Sequence, residues 1–147
     1  MAGSEPAVGA DWSVAVDGVG VVDPTGAPRG TVSASFRCAS GERWTGEWRG
    51  VPVEWILDRL QSDSAATHLR IHGPADHVAC VALADAVGGV LAESRLDGPA
   101  RAGGDGWPRF VAPRVVGART VKRVPRLEPV ALGAGEDVDA YETLDTG

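Results

Sequence analysis

Cysteine is scarce in this chain of 147 residues, and its two cysteines, Cys38 and Cys80, are not arranged as a CxxC pair. This spacing disfavours a structural zinc site or a dithiol redox motif. The sequence also does not open with a basic stretch followed by an apolar one, so we expect no secretory signal. We therefore expect a cytoplasmic protein in which both cysteines are free thiols rather than a disulfide.

Basic residues are also few. The chain has 14 Lys and Arg against 20 Asp and Glu, a formal net charge of -6, and Lys122 is its single lysine. An acidic chain disfavours non-specific binding to nucleic acid. No apolar run approaches the length that spans a bilayer. We expect neither nucleic acid nor membrane as a partner. No Ser-His-Asp arrangement, Walker loop or dinucleotide fingerprint occurs either.

Glycine and proline are abundant, with 20 and 10 residues. They favour many turns and short strands over long helices. Alternation of apolar and polar residues predicts such strands, while one stretch, residues 52–61, has helical spacing after Pro52. The fold class is therefore predicted as α+β, mainly short strands with one clear helix. We expect one domain over residues 11–132, with disordered tails at 1–10 and 133–147.

Residues 36–53 combine a thiol with a constrained backbone. Residues 31–39 alternate so that Ala34 and Cys38 share the apolar face of a half-buried strand. Ser40 and Gly41 end this strand, and a loop rich in glycine and tryptophan then leads to the helix. A cysteine on an apolar strand face is ordinarily a small buried hydrophobe, and this interpretation applies to Cys38 and Cys80 alike.

The last long strand is predicted over residues 120–132. Pro125 and Pro129 interrupt it, and proline fits an edge strand or a bulge better than a central strand. The basic residues that precede or begin this strand have two interpretations. They are either a solvated strand edge protected by charge or an anion-binding site. The cluster consists of Arg114, Arg119, Lys122, Arg123 and Arg126.

Several short motifs occur in order along the chain. They are Cys-Ala-Ser-Gly at 38–41, Trp-Arg-Gly-Val-Pro-Val at 48–53, Ala-Leu-Ala-Asp-Ala at 82–86, Val-Leu-Ala at 90–92 with Leu-Asp-Gly at 96–98, Gly-Trp-Pro-Arg-Phe-Val-Ala-Pro at 106–113, and Gly-Ala-Arg-Thr-Val-Lys-Arg-Val at 117–124 with Leu-Glu at 127–128. Together these motifs resemble the sulfite-oxidase-type molybdopterin-binding oxidoreductase domain. The order and spacing agree from about Trp12 to Val130, and the combined set is more specific than any one motif. The resemblance implies that family's fold.

The resemblance implies a molybdenum centre that catalyses oxygen-atom transfer and takes up two electrons. Cys38 would be both the metal ligand and the catalytic residue, because a soft thiolate suits such a metal. A dithiolene pterin with a phosphate would complete the cofactor. The implied substrate is a small oxyanion or oxide, and the implied partner is an electron-transfer protein.

The resemblance further implies which residues bind the cofactor. The basic residues would lie near the pterin phosphate, where an arginine fork suits an anion. Trp44 would line the cofactor cleft. The expected set is Arg109, Arg114, Arg119, Lys122 and Trp44.

The chain also departs from the family pattern. Family members usually have a longer N-terminal part before this cysteine, whereas fewer than forty residues precede Cys38. The family's active-site tyrosine also has no match, since Tyr141 lies in the expected tail. These departures support an alternative function. In that alternative, the same fold carries no cofactor and acts as an anion-binding or protein-interaction module.

Overall fold

The computed structural model describes residues 12–37, 43–60, 65–95, 108–115 and 119–144, without the side chains of 35–37, 43–45 and 95. These residues form two β-sheets and two short α-helices, so the predicted α+β class is confirmed. None of the helices in the described ranges is long and apolar enough to cross a membrane.

The first sheet, sheet A, has five strands in the order β2-β1-β9-β5-β6. β1 and β2 form an antiparallel hairpin whose turn contains Asp17 and Gly18. β9 pairs in parallel with β1 and antiparallel with β5, and β5 pairs antiparallel with β6. The strand bounds are β1 Val14–Val16, β2 Gly20–Val22, β5 His68–His72, β6 Val78–Ala82 and β9 Arg126–Val130.

The second sheet, sheet B, has four antiparallel strands in the order β3-β4-β7-β8. β3 and β4 pair along their full common length, from Gly30 opposite Gly50 to Arg37 opposite Arg43. A bulge lies between Arg49 and Gly50 where β4 pairs with β7. The strand bounds are β3 Gly30–Arg37, β4 Arg43–Pro52, β7 Val90–Arg95 and β8 Arg109–Val111.

The prediction of a glycine- and tryptophan-rich loop between Cys38 and Pro52 is largely wrong. Residues from Arg43 onward form β4, a ten-residue strand. Its pairing with β3 and β7 on both sides supplies the ladder that glycine-rich local sequence does not favour. Trp48 anchors the strand, with only 1% of its surface exposed.

The predicted helix over 52–61 is shorter than expected. Helix α1 is Val53–Leu57, and Pro52 is both the last residue of β4 and the residue that caps the helix. The apolar positions of this helical spacing face the core, because Val53, Ile56 and Leu57 are buried. A second helix, α2 at Leu83–Ala86, follows β6 directly.

The long strand predicted at 120–132 is also wrong in extent and place. Only β9 is a strand, and it lies in the middle of sheet A rather than at an edge. Pro129 is accommodated because β1 pairs with β9 only as far as Leu127. The Leu127 carbonyl accepts a hydrogen bond from the Asp17 backbone N–H, so it points toward β1. Backbone groups alternate along a strand, so the Pro129 nitrogen points to the same side, at a level beyond the end of β1. No neighbouring strand among the described residues needs an N–H donor there.

Two apolar clusters occupy the two faces of sheet B. The main core joins sheet A, both helices and one face of sheet B, where Leu91 and Phe110 are completely buried. A smaller cluster lies on the opposite face of sheet B and contains Ala34, Trp48, Val90, Ala92 and Val111. Sheet B is therefore buried on both faces over part of its area.

Part of the C-terminal segment packs against β6, although residues 133–147 were expected to be disordered. A short 3₁₀ helix spans Val138–Tyr141. Thr143 then pairs antiparallel with Val78 through two backbone hydrogen bonds of 2.8 Å. Residues 138–144 thus cover the β6 edge of sheet A.

Candidate functional site

Arg109 begins β8 on the face of sheet B that carries the smaller apolar cluster. Strand alternation places Arg109 and Val111 on one face and Phe110 on the other. The burial agrees, since Phe110 belongs to the main core and Val111 to the smaller cluster. In the strand register Arg109 lies opposite Ala92, and Ala92 is completely buried. A cation is thus positioned at the border of an apolar surface.

The Arg109 guanidinium is half-buried beside the Thr120 hydroxyl. Its Nη2 atom donates a hydrogen bond of 3.1 Å to Thr120 Oγ1. Thr120 is itself only 4% exposed. Burial lowers the pKa of Arg109, because desolvation disfavours the charged form. A guanidinium stays protonated even so, and the lower local dielectric strengthens its attraction to an anion.

Two backbone hydrogen bonds hold this pair in place. Phe110 N donates to the Val121 carbonyl at 2.8 Å, and Val124 N donates to the Pro108 carbonyl at 3.1 Å. The chain after Thr120 therefore runs alongside β8. This pairing brings a hydroxyl from one segment to a guanidinium eleven positions earlier.

Arg119, one residue before Thr120, forms an ion pair with Glu142. Its Nε and Nη2 atoms donate to the two carboxylate oxygens at 2.7 and 2.6 Å. Glu142 Oε2 also accepts a hydrogen bond from the Cys80 backbone N–H at 2.8 Å. The hydrogen bonds to Glu142 raise the pKa of Arg119. The charge of Arg119 is thus neutralised within the chain.

Arg114 and Lys122 are exposed. Arg114 follows β8 in a turn, and Lys122 lies two residues beyond Thr120. Arg123 is also exposed and has a φ of 49°, the left-handed region that few non-glycine residues adopt. β8 and its connection to β9 therefore bring together the half-buried Arg109, the ion-paired Arg119 and three exposed basic residues, Arg114, Lys122 and Arg123.

Cys38 lies outside the described residues, and so does the side chain of Trp44, whose backbone pairs with Phe36 in β3. The strands do show the relation between the two ends of sheet B. Gly30 lies level with Gly50, Ala92 and Arg109 across the four strands. β3 then runs seven residues, about 23 Å at the usual rise, to Arg37. The predicted metal ligand follows the far end of this strand.

The second thiol, Cys80, has the expected character of a core residue. It is 2% exposed in the middle of β6 and forms no disulfide. Burial raises the pKa of Cys80, and the nearby Glu142 carboxylate raises it further. A buried neutral thiol is a poor nucleophile. Within the described ranges no group of three or more His, Cys, Asp or Glu side chains could hold a metal ion.

The donors at the β8 end of the site fit an anionic group such as a phosphate. A guanidinium and a hydroxyl meet there, and both donate to phosphate oxygens. The exposed Lys122 and Arg114 supply further positive charge from the same connection. Their chemistry agrees with a cofactor that ends in a phosphate.

Sequence reasoning missed two residues of this region. Thr120 was considered only as the first residue of a strand, and a lone threonine carries no local signal of a guanidinium partner. Glu142 was assigned to an unpacked tail because its surroundings are acidic and turn-rich. The 4% exposure of its side chain follows from the pairing of Thr143 with Val78, which is non-local.

Comparison with known proteins gives one family match. The profile of the oxidoreductase molybdopterin binding domain matches residues 7–132, which is most of the chain. A search of curated proteins found no match. The matched range includes Cys38 and every predicted cofactor-binding residue.

Proposed function

Because the chain belongs to the oxidoreductase molybdopterin-binding domain family, we propose that it binds a molybdenum–molybdopterin cofactor through Cys38 and the β8–β9 connection. Cys38 is the thiolate ligand of the metal. Arg109 and Thr120 bind the pterin phosphate, with Lys122 and Arg114 beside them, and Trp44 lines the cleft. When bound, the cofactor supplies oxygen-atom transfer coupled to a two-electron change of the metal.

The observation that carries this proposal is the half-buried Arg109 beside the Thr120 hydroxyl. A guanidinium and a hydroxyl both donate to phosphate oxygens, and the lower dielectric around a half-buried guanidinium strengthens its attraction to an anion. The anion-binding end lies on the face of sheet B where β3 presents Ala34. The sequence alternation that begins with Ala34 predicts the same face for Cys38.

The protein's own contribution is to hold and orient the cofactor. Arg109 is proposed to act on the phosphate and not on the metal, because a guanidinium donates hydrogen bonds to anionic oxygens. Arg119 stays a predicted cofactor-binding residue, although Glu142 already pairs with its guanidinium. The expected substrate is a small oxyanion or oxide, and the expected partner is an electron-transfer protein.

The test is cofactor analysis of protein made in a host that synthesises molybdopterin. Metal analysis measures molybdenum, and fluorescence after denaturation measures the pterin. We expect both near stoichiometry in the wild type. We expect Cys38→Ser to lose molybdenum, and Arg109→Gln to lose pterin together with the metal.

Cys80→Ala is the matched control, because it removes the other thiol of the chain, which is buried in β6 and is not among the proposed ligands. It should retain the cofactor. A wild-type protein that is folded yet lacks both molybdenum and pterin would overturn the proposal in favour of a cofactor-free anion-binding or interaction module. Equal molybdenum in wild type and Cys38→Ser would remove Cys38 as the ligand.

A further inference from the structure

The two sheets have four edges, and a sheet edge offers unpaired backbone groups to any other strand. The edge strands are β2 and β6 in sheet A and β3 and β8 in sheet B. Proteins protect such edges by keeping them short, by covering them or by placing charge and proline on them. The four edges of this protein differ in that protection.

Three of the edges are protected. β2 and β8 have three residues each, which leaves few groups for another strand. β8 is also covered by the hydrogen bonds to residues 121–124. β6 is covered by the C-terminal segment, where Thr143 pairs with Val78 and Glu142 accepts from Cys80 N–H.

In the part of the chain that the structure describes, β3 has none of these protections. It is eight residues long, contains no proline and carries no charge before Arg37. In the described ranges only β4 pairs with it. Thr31 and Ser33 are exposed on one face, and the half-buried Val32 packs against the smaller apolar cluster on the other. Such a strand favours pairing with another strand.

We propose that β3 pairs antiparallel with β3 of a second copy and forms a two-fold symmetric dimer. The occupant is a second copy because this edge is complementary to itself. With Ser33 opposite Ser33 of the second copy, Val32 lies opposite Ala34 of the second copy on the apolar face. No like charges then meet at the centre, and hydroxyl and small apolar pairs are compatible across strands.

The symmetry closes the assembly. A two-fold interface uses the same surface on both copies, so pairing stops at two. The two four-stranded sheets become one continuous sheet, and the longest edge of sheet B is removed. The apolar cluster of each copy meets the other at Val32. This dimer does not depend on whether the cofactor is bound.

Sedimentation equilibrium of the full chain, across micromolar to millimolar concentrations, tests the dimer. The wild type should show a reversible monomer–dimer equilibrium. Ser33→Lys places two lysines opposite each other at the symmetry axis and should weaken dimerisation by at least about tenfold. Ser13→Lys makes the same substitution at an exposed serine outside β3 and should leave the equilibrium unchanged.

A charge-swap experiment tests the register. Ser33→Glu alone should be as monomeric as Ser33→Lys, while an equimolar mixture of the two should form a heterodimer. Circular dichroism confirms that each variant is folded. A wild type that stays monomeric over the whole range would overturn the proposal, and so would a Ser33→Lys variant that dimerises as well as the wild type. Failure of the mixture to associate would overturn the Ser33 register.

Discussion

The Arg119 guanidinium and the Glu142 carboxylate form a two-point ion pair, in which the Glu142 side chain is 4% exposed and the Arg119 side chain 41%. The pair joins the predicted cofactor-binding connection to the C-terminal segment, which also covers the edge of β6. One carboxylate thereby satisfies a cation and the Cys80 backbone N–H. Glu142 thus links the C-terminal segment to both the site and sheet A.

Glu142→Ala should destabilise the protein. The substitution leaves the Cys80 N–H without its acceptor and Arg119 without its counter-charge. Loss of a buried hydrogen-bond partner costs about 1–3 kcal/mol. Glu142→Gln keeps an acceptor for the N–H and should cost less. Urea unfolding measures both free energies, and the control Glu54→Gln, at an exposed helix position, should change little.

The same carboxylate should make stability depend on pH. Burial raises the pKa of Glu142, but the hydrogen bonds from Arg119 and the Cys80 N–H outweigh burial and leave the pKa below the ordinary 4.5. A lowered folded-state pKa stabilises the protein above the unfolded pKa. This contribution is lost as pH falls below about 4.5 through the folded-state value.

Urea unfolding at neutral pH and near pH 4 measures this effect. The wild type should lose more stability on acidification than Glu142→Gln, which has no titrating group there. Asp17 keeps part of the acid sensitivity in both proteins, because its hydrogen bonds from Arg126 lower its pKa as well. An identical acid loss in the two proteins would contradict the assignment to Glu142.

Gly50→Ala should disrupt the bulge of sheet B. A Cβ at Gly50 would lie 2.0 Å from the Leu91 carbonyl oxygen and 2.5 Å from Ala92 Cα, both of them backbone atoms. The strands must therefore separate, at a cost of about 1–3 kcal/mol or more. Gly88→Ala is the control, because its nearest neighbour, the Asp85 carbonyl oxygen, is 3.7 Å away. Thermal unfolding should show a large loss for the first variant and little change for the second.

Removing residues 133–147 should expose the Cys80 thiol. Ala79 and Val81 belong to the main core, so alternation directs Cys80 to the outer face, beside the C-terminal segment. In a Cys38→Ser background, the truncated chain should react with a thiol reagent at least about tenfold faster than the full chain. Equal rates in a truncated protein that remains folded would show that the segment does not protect the thiol.

The local pattern of the sequence is informative where apolar and polar residues alternate along a strand. Alternation in residues 67–72 identifies β5, and its Leu69 and Ile71 are completely buried. The place of β9 was not predictable from local sequence. Proline is excluded from a central strand only where a neighbouring strand needs an N–H donor at its position. The pairing of β1 with β9 ends at Leu127, before Pro129 is reached.

For the candidate site too, the sequence predicted one part and left another part open. The sequence identified the basic residues and the family, and the profile match confirms the family. It did not separate Arg109, which is half-buried beside Thr120, from Arg119, which is held by Glu142. The two arginines carry the same charge, and only their partners in the folded protein, Thr120 and Glu142, distinguish them.

Hydrophobic periodicity and motifs that are local in the chain were therefore enough to predict the fold class, the family and the list of candidate residues. The ten-residue strand β4 and the neutralisation of Arg119 by a carboxylate of the C-terminal segment are visible only in the folded protein. Strand pairing and ion pairing join residues distant in sequence, and their free energy depends on burial that no local window contains.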